Sequence, residues 1–366
     1  MSTTTVTVNT VSFAKAFAKA TKGTLPKSSV EALKRVFLSV EDNSLIIRSS
    51  AIETWFSREI EASAITGDAQ VTNASLKPDS LTKALKFFPK ADTTLVFDTD
   101  DKSVEVICGS KRIKLSCLFD DDFPTLPKLT GRDNYVLDIK DIAKRMAKVK
   151  YAVAETDVKP LLTGIHFNGA EMVACDGYRL ALSKGTQEVR KPFTIPVKAL
   201  AYACECMEDV ADAHRIVVRQ DDKYICFMSF ADFSMVYVRL IEGSYIDYQR
   251  VIPQNADNHR TIGREKMLDV LKYLKLFITD VVAEPVIYKG DTLTARTKDG
   301  TFEESIGIDS PLNDKIGFNI KYMQDAFGQF SKGTNVDFAI GQRNIEPIVL
   351  TEGDDLALVL PMRLKD

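Results

Sequence analysis

The chain has 366 residues, of which 45% are hydrophobic and 27% charged, and its 48 Lys and Arg against 51 Asp and Glu give a formal net charge of −3. This composition is ordinary for a soluble globular protein and argues against intrinsic disorder, because there is enough apolar material to offset the entropy of ordering. No apolar run reaches the roughly 18 residues that span a bilayer, and the Thr-rich start of the chain lacks the basic region of a signal peptide. The mild acidity argues against a protein that coats nucleic acid through its overall charge.

Apolar residues at helical spacing mark six segments of the chain, the first of them through Phe13 and Phe17. The predicted helices begin near residues 11, 76, 138, 197, 264 and 319. Asp138 and Asn319 are of the residue types that cap helix N-termini. Two helices therefore fall in each third of the chain.

Between these helices the residues alternate with the period of a β-strand. Leu45–Ser49, Ala51–Ile60 and Gly164–Phe167 are predicted strands, and the last of them runs into Asn168-Gly169, a hairpin signal. The sequence thus predicts an α+β fold.

A strand–turn–strand pattern recurs along the chain at a fixed spacing, and such a repeat can decide the architecture. Asp101 and Asp222 occupy equivalent turns that are 121 residues apart, and a further 121 residues lead to the polar turn around Arg343. The flanking predicted strands are Val96–Phe97 with Val104–Ile107, Val217–Val218 with Tyr224–Met228, and Phe338–Ile340 with Ile345–Leu350. Three repeats of about 122 residues match the length, and polar linkers at Thr125–Arg132 and Ile252–Arg260 predict domains 1–127, 128–254 and 255–366.

The charge is distributed unevenly between the predicted helices and the rest of the chain. The six helical windows sum to +9, although the fourth carries −3, so the remaining residues carry −12. Lys15, Lys19 and Lys22 follow one helical face. Such a stripe is commonly only a solvated face, but several stripes of one sign in an acidic chain favour a polyanion-facing surface equally well.

Motifs for chemistry are mostly absent. The six cysteines and three histidines are not spaced for a metal site, and we expect reduced, buried thiols and a core or face position for His166. No phosphate-binding loop or nucleophile elbow occurs. Asp120–Asp122 is predicted to be a loop, with a metal-dependent nuclease as the competing hypothesis. The sequence therefore favours a scaffold or binding protein without a cofactor or metal.

Three segments are distinctive in both sequence and order: Ala174–Ala181 (ACDGYRLA), Tyr245–Pro253 (YIDYQRVIP) and Val359–Leu364 (VLPMRL). Together they resemble the bacterial sliding clamp family, the β subunit of DNA polymerase III, in which similar Thr-Asp-Gly-His-Arg-Leu, Pro-Asp-Tyr-x-Arg-Val-x-Pro and Met-Pro-Met-Arg-Leu segments are found. The first third of the chain matches the family mainly through Asp122-Phe123-Pro124. Cys175, Tyr178, Ile246 and Leu360 replace the family's usual Thr, His, Pro and Met.

The resemblance implies a fold of three repeated clamp domains, each with two helices packed on antiparallel sheets, in a head-to-tail dimeric ring. It implies a cytoplasmic, nucleoid-associated processivity factor that is not an enzyme, encircles double-stranded DNA without reading its sequence, and binds DNA polymerase and clamp-loader subunits through short peptides. The alternative is a clamp-like decoy or regulator that binds partner peptides without encircling DNA. The first third of the chain resembles the family only weakly, which is consistent with a phage-borne, plasmid-borne or specialised paralogue.

The resemblance also implies three groups of site residues. The peptide-binding pocket takes Leu162, Cys175, Gly177, Tyr178, Arg179, Leu180, Ile246, Arg250, Val251, Leu358, Leu360, Pro361, Met362 and Arg363. The DNA-facing set combines the helical stripes with this expectation and contains Lys15, Lys19, Lys22, Lys83, Lys86, Lys144, Lys148 and Lys272. The dimer interface takes Lys111, Arg112, Ile113, Phe277, Ile278, Glu303 and Glu304.

Overall fold

The computed structural model describes residues 3–67, 71, 73–120, 122–131, 134–156, 158–208, 214–253, 259–309, 315–341 and 343–364. In the first third of the chain the strands and helices are β1 (Thr3–Asn9), α1 (Thr10–Lys22), β2 (Val36–Glu41), β3 (Ser44–Ser50), β4 (Thr54–Gly67), β5 (Ala74–Leu76), α2 (Asp79–Leu85), β6 (Asp92–Asp98), β7 (Ser103–Cys108), β8 (Lys111–Ser116) and β9 (Leu118–Phe119).

In the second third they are β10 (Asn134–Asp138), α3 (Ile139–Val149), β11 (Gly164–Asn168), β12 (Glu171–Cys175), β13 (Arg179–Lys184), β14 (Phe193–Pro196), α4 (Val197–Met207), β15 (Arg215–Gln220), β16 (Tyr224–Ser229) and β17 (Ser234–Arg239). In the last third they are β18 (His259–Gly263), α5 (Arg264–Lys275), β19 (Val286–Lys289), β20 (Thr292–Thr297), β21 (Gly300–Ser305), β22 (Ile316–Phe318), α6 (Ile320–Gly328), β23 (Asn335–Ile340), β24 (Ile348–Glu352) and β25 (Asp355–Val359).

The element order confirms the repeat. Within the described residues, the sequence of one strand, one helix and three strands occurs twice in each third of the chain, with β9 as a short addition. All six predicted helices are present at the predicted places. The predicted hairpins are also present, as β6–β7, β15–β16 and β23–β24, although the last begins its second strand at Ile348 and leaves Ile345 in the turn.

The predicted linkers are partly right. Residues 124–131 have no regular structure, and Arg132 lies outside the described residues. The second linker ends earlier than expected, because His259 and Arg260 already pair with Ala339 and Phe338 in β18.

The described chain forms two compact units, one from Met1–Lys140 with Lys198–Leu240 and the other from Asp141–Val197 with Ile241–Asp366. In the first unit a sheet runs in the order β10-β15-β16-β17-β4-β1-β6-β7-β8, with β3, β2, β5 and β9 continuing from β4. In the second unit one sheet has the order β14-β11-β12-β13-β25-β24-β23-β18 and another the order β21-β20-β19-β22. The boundaries 1–127, 128–254 and 255–366 remain a prediction, since backbone pairing continues across them at β4–β17 and β13–β25.

Each helix buries one apolar face. In α1, Phe13 and Phe17 are fully buried, as the spacing predicted. Three helix starts have side-chain caps in the described residues. Asn9 accepts hydrogen bonds from the backbone of Val11 and Ser12 at 3.1 Å each, and Asn319 caps α6 in the same way. Asp138, at the start of α3, accepts from the backbone N–H of Lys140 at 2.8 Å, as predicted. None of the described helices is both long enough and apolar enough to cross a membrane.

The cysteines and His166 belong to the protein interior. All six cysteines are buried and free, and burial raises the pKa values of Cys204, Cys206 and Cys226 to about 12. His166 is stacked on Tyr245 with ring centroids 4.4 Å apart, and burial lowers its pKa to about 4. These groups are therefore neutral packing residues near pH 7.

The cap of α1 predicts a measurable loss of stability. Asn9→Ala removes the acceptor for two backbone N–H groups and should lower the free energy of unfolding by about 1 kcal/mol. Asn9→Asp keeps the acceptor and should change stability much less. Urea unfolding followed by fluorescence of the single tryptophan, Trp55, reports on the same unit, and equal losses for the two variants would contradict the cap assignment.

Candidate functional sites

An apolar cluster in the second unit brings together five of the residues expected in the peptide pocket. Leu162, Cys175, Leu180 and Leu358 are buried in it, and Leu360 packs against it from a half-buried position. Strand pairing brings these residues together, because Leu180 of β13 is paired with both Cys175 of β12 and Leu358 of β25. Burial raises the pKa of the Cys175 thiol, which therefore contributes an uncharged, apolar wall.

A tight turn joins β12 to β13 and places Tyr178 at the surface. Asp176 accepts hydrogen bonds from the backbone N–H groups of Tyr178 and Arg179 at 2.9 and 3.0 Å. Gly177 adopts φ +93°, which a residue with a side chain rarely tolerates. Tyr178 is consequently 63% exposed, and its ring stacks near that of Tyr322 on α6.

Arg179 is 6% exposed and fully engaged within the protein. Its guanidinium donates to Asp176 at 2.9 Å and to Asp325 at 2.5 Å. It also lies over the rings of Tyr322 and Tyr151, 4.4 and 5.3 Å from their centroids. The expectation that Arg179 lines the pocket thus needs correction, because this side chain fixes β13 to α6 and does not face open space.

The segment after β25 borders a cavity of about 680 Å³. Its walls include Leu360, Pro361, Met362 and Arg363, all four of which were expected there, together with Ile345. The backbone N–H of Met362 donates to the carbonyl of Gly317 at 2.7 Å. A Cβ atom at position 317 would come within 2.5 Å of Leu364, so glycine permits this close approach.

The loop before the second linker supplies the other three expected residues. Ile246 and Val251 are 37% and 40% exposed, and Arg250 pairs with Asp247 at 2.8 Å beside a cavity of about 450 Å³. Tyr248 enters the apolar cluster, where its hydroxyl donates to Glu171 at 2.5 Å. Tyr248 is within the quoted motif but was not selected, and neither were Tyr322 and Ile345, which lie in segments without a recognisable motif.

Five of the lysines expected to face DNA lie in the first unit, and the side chains of four of them are exposed. Lys15, Lys22, Lys83 and Lys86 are exposed, and Lys22 is paired with Glu205. Lys19 is only 8% exposed.

Lys19 has internal partners that explain its burial. Its ammonium group donates to the backbone carbonyl of Cys206, near the end of α4, at 2.7 Å. It lies 3.9 Å from Asp232, which Arg58 approaches to 3.2 Å. We therefore correct its assignment: Lys19 joins α1 to α4 and does not present its charge to solvent.

In the second unit, Lys144 and Lys272 are exposed, and Lys272 lies 3.5 Å from Asp269. Lys148 is turned toward the buried carboxylate of Asp355, which also accepts a hydrogen bond from Ser183. Like Lys19, Lys148 therefore directs its charge to a partner within the protein and presents little of it to solvent.

The residues expected in the dimer interface lie on or beside two sheet edges, one in each unit. Lys111, Arg112 and Ile113 are on the edge strand β8, and Glu303 and Glu304 are on the edge strand β21. Phe277 stacks on Phe302 with ring centroids 3.6 Å apart, and Ile278 is half-buried. Leu276, which is 78% exposed, was not selected from the sequence although it precedes Phe277 directly.

No group of three or more His, Cys, Asp or Glu among the described residues is arranged to hold a metal ion. Of the Asp120–Asp122 cluster, Asp121 lies outside those residues, and Asp122 is exposed.

Comparisons with known proteins all lead to the same family. Residues 4–127 match the N-terminal domain family of the DNA polymerase III beta subunit, and residues 136–247 match its central domain family. The chain is 24% identical to the beta sliding clamp of Staphylococcus aureus, with 93% of this chain and 94% of that protein covered.

Two solved structures show the same fold. A DNA polymerase III beta subunit from Eubacterium rectale superposes with a TM-score of 0.86 at 19% identity, covering 99% of this chain and all of that one. A sliding clamp from Bartonella birtlesii bound to griselimycin gives a TM-score of 0.83 at 19% identity over the same shares.

The burial of Lys19 separates it experimentally from Lys15. Lys19→Gln should lower the free energy of unfolding by about 2 kcal/mol, because it removes a charged donor from a buried carbonyl. Lys15→Gln, on the exposed side of the same helix, should change it by less than about 0.5 kcal/mol. Urea unfolding followed by Trp55 fluorescence measures both, and a Lys19 variant as stable as the Lys15 variant would refute the assignment.

Proposed function

The chain belongs to the DNA polymerase III β-subunit family, the bacterial sliding clamps, and we propose that it encircles duplex DNA and tethers a polymerase and other replication or repair proteins through the pocket of the second unit. The family consists of processivity factors, not enzymes, so binding and topology perform the function. We place the protein in the cytoplasm, on nucleoid DNA, and divide it into domains 1–127, 128–254 and 255–366.

One observation carries the partner-binding part of this proposal. The three family-like segments, far apart in sequence, meet around one apolar cluster and its adjoining cavities in the second unit. Leu and Met side chains provide an adaptable apolar surface, and extended peptides bind such surfaces by burying a few anchors. The pocket therefore suits short peptides with Leu and Phe anchors, as carried by polymerase and clamp-loader subunits.

The charge distribution supports the DNA-binding part. The exposed lysines on α1, α2, α3 and α5 offer point charges to phosphates, and phosphate contacts carry no sequence information. A clamp needs only weak contacts of this kind, because a closed ring is held on DNA by its topology. Exposed Lys15, Lys22, Lys83, Lys86, Lys144 and Lys272 are the proposed contacts.

The two sheet edges support a head-to-tail dimer. β8 carries Lys111 and Arg112, and β21 carries Glu303 and Glu304. Unpaired strand edges are templates for pairing with another chain. Opposite charges on two different surfaces favour a heterologous contact, which forms a closed ring when the rotation permits.

The pocket predicts a loss of peptide affinity in defined variants. Met362→Ala and Leu180→Ala should each weaken binding of a fluorescein-labelled Gln-Leu-x-Leu-Phe-type peptide about tenfold, because each shortens an apolar wall. Val30→Ala, at a 52% exposed position in the other unit, is the matched control and should not change affinity. Fluorescence anisotropy gives the dissociation constants. Unchanged affinity in the Met362 variant, which lies outside the buried core, would remove the pocket from the proposal.

The ring predicts retention that depends on DNA topology. Protein loaded by its clamp loader onto nicked circular DNA should remain bound during gel filtration at high salt, and cutting the circle once should release it. Ile113→Asp, which places a charge in the proposed interface, should abolish retention. Release from the circle before cutting, together with a monomer in light scattering at micromolar concentration, would instead support a regulator that binds peptides only.

A further inference from the structure

A row of directly paired residues crosses the sheet formed by β21, β20, β19 and β22, on the face opposite the buried Tyr288 and Leu293. Met362 stands opposite Gly317, Gly317 opposite Ile287, Ile287 opposite Thr294, and Thr294 opposite Glu303. Directly paired residues of antiparallel strands lie on the same face of a sheet. This row therefore leads from the proposed peptide pocket at Met362 onto the face of this sheet.

The row passes through a second cavity, of about 490 Å³, that borders the first. Its walls include Lys289, Arg296 and Lys315, together with Ile287, Thr292, Thr294 and Glu303. Lys315 lines this cavity and also the cavity beside Met362. The two cavities therefore share a wall, and we call the second one the basic groove.

The basic groove is positive within an acidic protein. It combines three cationic side chains with one carboxylate, while the whole chain has a net charge of −3. Lys289 and Arg296 are exposed, and none of the three cations has an ion-pair partner within the part of the chain that the structure describes. Glu303 lies at the far end of the row, where its carboxylate accepts a hydrogen bond from Thr294 at 3.1 Å and offsets one of the three positive charges.

We propose that the basic groove binds acidic residues that flank the apolar anchors of partner peptides. A peptide seated at Met362 can extend past Lys315, which lines both cavities, into the basic groove. Acidic residues on that flank would meet Lys315 and Lys289 first. Those that cross the row would meet Arg296 on its other side, while Glu303 would repel any that reach the edge strand β21. This inference rests on the proposed pocket and adds a chemical preference to it.

These three charges, two of them exposed and one half-buried, contribute modestly to affinity, since ion pairs in contact with solvent are weak individually and are screened by salt. We expect an acidic flank to tighten binding threefold to tenfold at low salt and to have little effect near 1 M salt. Most of the gain should appear in the association rate, because complementary charges steer encounter.

Fluorescence anisotropy with defined peptides tests the proposal. The probes are a Gln-Leu-x-Leu-Phe-type peptide extended by Asp-Asp-Glu at its N-terminus, the same peptide extended at its C-terminus, and both versions with Asn-Asn-Gln instead. One acidic version should bind more tightly than its amide counterpart. The triple variant Lys289→Gln, Arg296→Gln, Lys315→Gln should abolish that difference. The double variant Lys289→Gln, Arg296→Gln, which leaves Lys315 of the shared wall in place, should reduce the difference and leave the affinity for the amide peptides unchanged.

A matched variant controls for the change in net charge. Lys184→Gln, Lys275→Gln, Lys332→Gln removes three positive charges from exposed positions of the same unit outside the groove, and should retain the preference for the acidic flank. Equal affinities of the acidic and amide peptides for the unmodified protein would overturn the inference while leaving the pocket intact. Failure of every peptide to bind would instead count against the proposed function. Displacement of the acidic peptide by an oligothymidylate that leaves the amide peptide bound would show a nucleic-acid site and also overturn the inference.

Discussion

Backbone pairing between strands from different repeats is the constraint on which the rest of the structure depends. β13 pairs with β25 over five residue pairs, and β4 pairs with β17 over another five. Each strand is thereby committed to one register, since a slip of one residue would turn Leu180 and Leu358 to the opposite face. The apolar cluster is a consequence of that register. Its residues come from segments that no local interaction would bring together.

The same pairing decides which edges remain open. A strand inside a sheet has both of its hydrogen-bonding sides occupied, whereas β8 and β21 end their sheets with one side unpaired. Natural proteins usually protect such edges with charged side chains. Here β8 carries cations and β21 carries carboxylates. These charges would keep two β8 edges, or two β21 edges, from pairing with each other, but would allow a β8 edge to pair with a β21 edge. A head-to-tail contact satisfies this arrangement, and a symmetric edge-to-edge contact does not.

The sequence was informative where a short-range pattern determines the structure. Helix starts and hairpins depend on neighbouring residues, so Asn319 and the turn at Asp101 could be recognised directly. Side-chain destinations depend on distant partners. Lys19 shares a helical stripe with Lys15, but its partners Cys206 and Asp232 belong to another repeat, so the stripe alone could not distinguish a buried charge from an exposed one.

The candidate pocket shows the same limit in another form. The family-like segments located Arg179 near the right site, yet its role is set by Asp325, 146 residues away, and by the ring of Tyr322. A buried arginine is retained only when its donors are satisfied, and here two carboxylates and two aromatic faces satisfy it. Similarly, the 121-residue spacing identified three repeats but could not reveal that the compact units divide the middle repeat between them.

Rigidity of the pocket follows from groups that do not themselves meet a ligand. Arg179 holds β13 to α6, Tyr248 is tied to Glu171, and Gly317 lets the segment at Met362 pack against β22. A peptide that binds a surface already held in place does not have to order the protein as well, so more of its contact energy appears as affinity. A short segment with two or three apolar anchors can then be sufficient for tethering. Under the proposed function the protein exchanges partners while its topology holds it on DNA. Strong individual binding would hinder that exchange, so a preformed pocket of modest size is consistent with the proposal.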